Sequence, residues 1–465
     1  MTDDVRKRSA KIEAIAECWP MITALLGGTE EMREASTTYL PQWPNEDSGY
    51  YKKRLSTATL FPAFSRTVEV LSGKPFSRPI TWSEDVPARI QEFFEDIDLQ
   101  GTNLHSFLAD ICEEAMAYGI CGLLVDYPPA ENIKTRADEL ASGVRPYWVK
   151  IAANSLLDYK SKRINGREVF TQLRFLESVT DEDNSSEFNE VIVEQVRVID
   201  IGRWRTYRQK KDDQTGETEW KLHEEGKTTL NKIPFVPFYG KRKGFMLSYP
   251  PLVELAYMNV EHWQSKSDQQ TILHVARVPV LFGKNLGEGP ITIGTASAIT
   301  SDNVDSDLKY VEHSGKAIEA GRNDLLDLED KMRQIGAELL VIKPGRITVA
   351  QTMAEDEAGT CALQRIVQDM EDAVDQALQL TADWIKESKG GHVTIFNDFG
   401  ASSLAEASAS LLLDANIAGV VSNETLFAEL QRRGYLKDGL KWDEESDRLK
   451  LQPPRQGAVK TTLTG

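Results

Sequence analysis

AIEAGRNDLLDLEDKMRQIGAELLVI, residues 317–342, carries the reading of the fold. Ile318, Gly321, Leu325, Leu328, Met332, Ile335 and Leu339 recur at alternating steps of three and four. That is the a/d seam of a heptad helix, and Glu319, Arg322, Asp324, Asp327, Asp330, Arg333 and Glu338 fall outside it. A seam this narrow has to be covered by another helix, either of the same chain or of another copy.

Downstream comes VIKPGRITVAQTMAEDEAGT (341–360): a Pro344-Gly345 turn, the cations Lys343 and Arg346, a short β-like run, and a block of acids. Thr352 and Glu355 have the spacing of a capping box, and Glu355, Asp356 and Glu357 sit where carboxylates favour the positive end of a helix. The pattern predicts a helix over 353–388, roughly 50 Å long at 1.5 Å per residue. Leu363, Val367, Met370, Val374, Ala377, Thr381 and Trp384 line one of its faces. A strand over His392–Phe396 follows, then a helical run over 403–436 and a polar, loose tail over 441–465.

Upstream, PLVELAYMNVEHWQSKSDQQTILHVA (251–276) reads as a helix with proline at its start, entirely polar from Gln264 to Gln270. Residues 277–316, between the two helices, hold short strands and glycine turns, a small α/β or β insertion. Residues 1–125 read mainly as helix, ending in an apolar strand over Gly122–Tyr127 that Pro128-Pro129 stops. From 146 to 240 the period changes to two. REVFTQLRFLE, NEVIVEQVRVID and GRWRTYRQ predict hairpins, with turns at Asn165-Gly166 and KKDDQTGET. The fold class expected is therefore α+β.

Composition bounds the function. The 465 residues suffice for roughly two to four domains. A hydrophobic share of 41% and a charged share of 27% fit a folded chain. The net charge of −18 argues against a surface built to grip phosphate tightly, without excluding DNA that passes without being held. Cys18, Cys112, Cys121 and Cys361 form no CxxC pair and read as small buried residues of a reduced, intracellular protein. The N-terminus has no apolar signal region, and no window is apolar enough to span a membrane.

Motifs that carry chemistry are sparse. There is no phosphate loop, nucleophile elbow, HExxH or dinucleotide fingerprint, and the six histidines never pair at metal-ligand spacing. His392 and Asp398 in GGHVTIFNDFG could serve as a base and its orienting acid, or be no more than a strand and its turn.

Helix, small insertion, heptad helix, loop and very long helix: in this order, over roughly residues 50–435, the chain resembles the portal (head–tail connector) proteins of tailed bacteriophages. YYKKRLSTATLFPAFSRTVEVLSGKPFSRPI is similar to the portal segment leading into an LxGKPF-type turn. LHSFLADICEEAMAYGICGLLVDYP resembles the passage that opens the wing, and IPFVPFYGKRKGFMLSYPPLVELAYMNVEHWQSKSD the entry to the stem.

The resemblance implies a portal-like fold with a helical stem, a mixed α/β wing, a small α/β clip and a helical crown. Residues 1–250 would be the N-terminal region and wing, 251–276 and 317–342 the stem helices, and 277–316 the clip. Residues 343–352 would be the tunnel loop, 353–400 the spine helix and wing strand, 401–440 the crown, and 441–465 a flexible tail. Lys343, Arg346, Thr348 and Gln351 would face the DNA channel, and Leu325, Leu328, Met332, Ile335 and Leu339 would form the oligomer seam.

The implied role is a ring, dodecameric in this family, at one capsid vertex of the virion, assembled in the host cytoplasm. It would pass double-stranded DNA inward and outward, and dock terminase, the major capsid protein and head–tail adaptors. No catalytic residue, metal or cofactor is implied, and no membrane. Twelve copies would carry on the order of two hundred negative charges, which repel phosphate and let a duplex slide. Two other readings stand beside it: a cytosolic α+β hydrolase using acidic residues or His392, and a monomeric interaction module built on the heptad helix.

Overall fold

Capping and glycine geometry set the first elements. Helix α1 (Ala10–Ala16) is followed by α2 (Trp19–Glu34), which opens on a proline and kinks at Gly28, where φ is +79°. Asp47 caps α3 (Ser48–Thr57) by accepting from the Gly49 amide at 2.8 Å. Next come α4 (Ala63–Gly73), the two-residue strand β1 (Thr81–Trp82), the single turn α5 (Ala88–Gln91) and α6 (Leu104–Tyr118), capped by Asn103 through the Ser106 amide at 2.9 Å.

The computed structural model describes residues 5–128, 143–182, 190–211, 218–277, 280–285, 304–311, 315–338, 361–399, 412–432, 435–437 and 439–451. It divides into two units, Met1–Leu339 with Arg365–Phe396, and Leu340–Gln364 with Asn397–Gly465.

In the first unit α6 ends at Gly119, whose φ of +85° turns the chain directly into β2 (Ile120–Asp126). A Cβ at Gly119 would lie 2.4 Å from the Pro250 nitrogen, so only glycine lets the two segments meet. Strand β2 is buried through Val125 and forms the middle of an antiparallel sheet. Its neighbours are β3 (Tyr147–Ile151) and, after a long excursion, β9 (Phe235–Tyr239). The strand expected over Gly122–Tyr127 thus starts at Ile120 and ends at Asp126.

The excursion is a five-stranded meander in strict sequence order: β4 (Leu156–Ile164), β5 (Arg167–Glu182), β6 (Glu190–Asp200), β7 (Arg203–Lys211) and β8 (Thr218–Lys227). Asn165 and Gly166 both adopt positive φ in the first hairpin, as the Asn-Gly pair predicts. Leu157, Val196, Val198 and Trp220 form its apolar face.

Arg197 of the meander pairs with Asp126 of the central sheet at 2.8 Å, and Tyr147 donates to the same carboxylate at 3.3 Å. Burial, with Asp126 alongside, pushes the Tyr147 hydroxyl up to about 12. The two sheets are thereby tied by a charge cluster between them.

A short ribbon of β10 (Lys241–Gly244) and β11 (Leu247–Tyr249) leads into α7 (Val253–Ala276). Strands β12 (Val280–Lys284) and β13 (Asp307–Val311) pair antiparallel, and α8 (Lys316–Glu338) follows. Helix α9 (Ala362–Ile385) starts at a reciprocal cap: the Cys361 amide donates to Gln364 Oε1 at 2.8 Å, and the Gln364 amide to Cys361 Sγ at 3.4 Å. The Thr352/Glu355 box lies outside the described residues. Within the expected 353–388, the described helix spans Ala362–Ile385.

Helix α9 seals the central sheet. Trp148 Nε1 donates to Thr381 Oγ1 at 2.9 Å, Trp384 Nε1 to the Val125 carbonyl at 3.0 Å, and Tyr127 stacks on Trp384. Of the strand expected over His392–Phe396, Val393–Thr394 (β14) pairs, with β1.

The second unit contains α10 (Asn423–Arg432) and α11 (Trp442–Leu451). Ser422 caps α10 through the Thr425 amide, Phe427 meets Trp442 at 5.5 Å, and Gln431 Nε2 donates to the Lys437 and Leu440 carbonyls. The segment read as a loose tail from 441 therefore begins with a helix. Its polarity hid ordinary helix chemistry: Asp443, Glu444 and Glu445 lie in the first turn, Arg448 and Lys450 in the last.

Candidate functional site

Helices α7 and α8 form an antiparallel pair with the β12–β13 ribbon in the connection between them. The direction follows from the contacts: His262 meets Glu329, while Gln269, further along α7, donates to the Ile318 carbonyl, nearer the start of α8. Gly321 of the seam is needed for the second contact, because a Cβ there would lie 2.2 Å from Gln269 Oε1.

The base of α7 is anchored in the first unit. Asn259 is fully buried and bridges the Phe61 carbonyl and the Phe64 amide, both at 2.9 Å. His262, 2% exposed, lies 3.3 Å from Glu329 and packs on Phe61. Burial holds its pKa below the ordinary imidazole value, against the opposing pull of Glu329.

The polar run Gln264–Gln270, which a stem facing neighbouring copies and a wet channel would explain, is spent partly inside the chain. Gln264 donates to the Tyr39 carbonyl, Asp268 lies 3.9 Å from Arg54, and Gln269 reaches α8. Sequence reading missed these partners because each is distant in the chain.

The seam residues divide. Leu328 and Met332 are buried within this chain, Leu325 and Ile335 are half-buried, and Leu339 lies outside the described residues. Leu326, off the seam, is 47% exposed. In the ribbon, Phe282 is exposed with the Lys309 ammonium over its ring. Lys343, Arg346, Thr348 and Gln351 all lie outside the described residues.

His392, on an exposed position, is held by Asp85, Nδ1 to Oδ2 at 2.7 Å. Asp398 belongs to the other unit. Ser83 lies close by, but its hydroxyl faces the Asp85 carboxylate and the His392 carbonyl and not the imidazole ring. Hydrogen bonds from Ser83 and then from His392 hold the Asp85 carboxyl below its ordinary range. Wired this way, the three residues clamp the β1–β14 ribbon. A nucleophile would need the Ser–His bond that is missing.

The other groups that could carry chemistry are built into packing. Cys112, Cys121 and Cys361 are buried and Cys18 is half-buried, and all four are free thiols. Burial pushes Cys112 up to about 12. Glu371 and Asp375 of α9 accept the amides of Ile395 and Val393 at 2.7 and 3.0 Å. Among the described residues, no group of three or more His, Cys, Asp or Glu is placed to hold a metal ion. No helix among them is long and apolar enough to cross a membrane.

A family model described as "Domain of unknown function (DUF4055)" matches residues 251–385, from the entry to α7 to the last residue of α9. No curated protein sequence matches the chain. Among solved structures, the chain is similar to a chain of the neck of an empty GTA particle computed with C6 symmetry. Identity is 10%, with 85% of this chain and 91% of the other covered, at a TM-score of 0.41. It is similar to a chain of the native GTA neck computed with C12 symmetry, at 11% identity, 80% and 89% coverage and a TM-score of 0.41. A chain of the virion of a native gene transfer agent (GTA) particle gives 11%, 86% and 98%, and 0.40.

Proposed function

We propose that this chain is a subunit of a portal-type ring at one vertex of a phage-like capsid, a channel for double-stranded DNA rather than an enzyme. The observation that carries the reading is the antiparallel pair α7–α8 with its β-ribbon between the helices, followed by the long amphipathic α9. That is the order in which stem, clip and spine occur in the proteins the sequence resembles. Leu325, Ile335 and Leu326 supply apolar surface that one chain leaves partly open, and a neighbouring copy related by a closing rotation would cover it.

The charge supports the same role. A wall built from copies of a chain with net charge −18 repels phosphate, so DNA moves without being gripped. In this reading Lys343, Arg346, Thr348 and Gln351 reach the passing duplex, the β12–β13 ribbon meets terminase and later head–tail adaptors, and the residues before α7 meet the major capsid protein.

The test is the mass of the purified protein in solution, with negative-stain images of the same sample. A ring with a central hole and a mass many times 52.1 kDa is expected. A monodisperse monomer or dimer at every concentration tested overturns the reading.

A further inference from the structure

In a chain with net charge −18, the run Lys241, Arg242, Lys243 on β10 stands against the overall sign. Lys241 lies directly across from Tyr249 in the ribbon, and both are exposed. The register slips between Arg242 and Gly244, which leaves Lys243 as the extra, exposed residue of a bulge. Arg242, across from the buried Ser248, sits 4.9 Å from the Tyr239 ring centre. Leu247 and Tyr249, two apart on β11, expose apolar surface on the side of Lys241. Among the described residues neither lysine enters an ion pair.

The ribbon leads directly into α7, and the first turns of that helix carry the opposite charge. Leu255, Ala256, Asn259 and His262 face inward and are buried. Glu254, Tyr257 and Glu261 recur on the outer face at steps of three and four, and all three are exposed. The two carboxylates thus flank a tyrosine over two turns, roughly 10 Å of helix. No Lys or Arg occurs from Val253 to Glu261, and neither glutamate enters an ion pair among the described residues.

From this pair of patches we infer that the basic ribbon of one copy docks on the Glu254–Glu261 stripe of the next copy. A ring grows head to tail from two different, complementary patches on each subunit, which is what these are. Both lie at the same end of α7, so they can meet without a step along the ring axis. Lys241 and Lys243 face Glu254 and Glu261, while Leu247 and Tyr249 bring apolar area against Tyr257.

The inference rests on the proposed ring and adds to it the surfaces that meet. Of the residues before α7, it turns the ribbon toward the neighbouring copy and away from the capsid. Double-stranded DNA would also attract the lysines, but it would leave the glutamate stripe without a partner. Exposed ion pairs are individually weak, so their effect is to select the register and speed of docking, and it fades with salt.

The test is sedimentation of the full-length protein over a concentration series at low and high salt, with the melting temperature of every variant read alongside. Lys241→Glu with Lys243→Glu should raise the concentration for half-assembly at least about tenfold at low salt, and so should Glu254→Lys with Glu261→Lys. Glu254 lies in the first turn of α7, where a cation is unfavourable, so Glu261→Lys alone is carried as a second variant. The four changes together should return assembly to within about threefold of wild type. Lys52→Glu with Lys53→Glu, exposed elsewhere, should assemble as wild type. Wild-type assembly in either reversal, loss from the lysine reversal alone, or a folded fourfold variant that stays apart overturns the inference. A wild type that stays monomeric removes the ring and this contact with it. An assembled wild type with unaffected reversals removes this contact alone.

Discussion

Glu371 of α9 accepts the Ile395 amide at 2.7 Å from a half-buried position, and burial raises its pKa above the ordinary carboxylate value. A carboxyl whose folded pKa is raised holds its proton longer in the folded chain than in the unfolded one. Its stabilising contribution is complete below about pH 4.3 and is lost as the pH rises through the folded pKa. Glu371→Gln keeps an oxygen for the amide and removes that loss. The variant should be at least as stable as wild type at pH 7.5, with the difference closing as the pH falls toward the carboxylate range, in urea midpoints at both pH values. A variant clearly weaker at pH 7.5 would mean that the ionised hydrogen bond outweighs burial. Gly122 is the opposite case, a position fixed by space. A Cβ there would stand 2.0 Å from the Phe235 ring, so Gly122→Ala should cost about 1–3 kcal/mol in the same assay.

At the scale of elements, the α7–α8 pair separates what periodicity reveals from what it hides. The heptad spacing locates α8, and two seam residues, Leu328 and Met332, are buried in the chain itself. Which polar residues of α7 would be tied inside was not legible, because Tyr39, Arg54 and Ile318 are brought to the helix only by the fold. The same holds for His392. Its spacing to Asp398 suggested a pair, yet its partner Asp85 is 307 positions away. The helix start at Cys361 went unread because cysteine is an uncommon cap, although Gln364 stands at capping-box spacing.

The pair also carries a comparison of two leucines. Leu328→Asp buries an unpaired charge inside the subunit and should abolish folding or assembly together. Leu326→Asp, on the exposed face, should leave the melting temperature of the subunit nearly unchanged while reducing the assembled fraction in sedimentation. Wild-type assembly in the Leu326 variant would remove that face from the ring interface.

For the whole molecule, the α+β class and the order of elements were legible because the period changes near residues 146 and 251. The two-unit division was not, since α9 begins in one unit and runs through the other. A ring of this chain makes a definite prediction about the cations between α8 and α9. Lys343→Ala with Arg346→Ala should assemble normally, with stability altered by no more than about 0.5 kcal/mol per site. The DNA content of particles, or its leakage between low and high ionic strength, should change. Normal packaging and retention in the double mutant would leave those cations as part of a connector.

The route of α9 also sets a schedule for synthesis. Trp148 is sealed by Thr381, 233 positions later, and the Val125 carbonyl by Trp384, 259 positions later. At about 5–20 residues per second, a ribosome needs roughly ten to fifty seconds to supply those partners. Helices α7 and α8 leave the ribosome within that interval, before α9 has closed the central sheet. A nascent chain thus presents its sticky helical hairpin while its own core is still open, and neighbouring chains on one message are within reach. In the proposed assembly, a chaperone that holds such chains apart until Ile385 has emerged should raise the yield of rings over inclusion bodies.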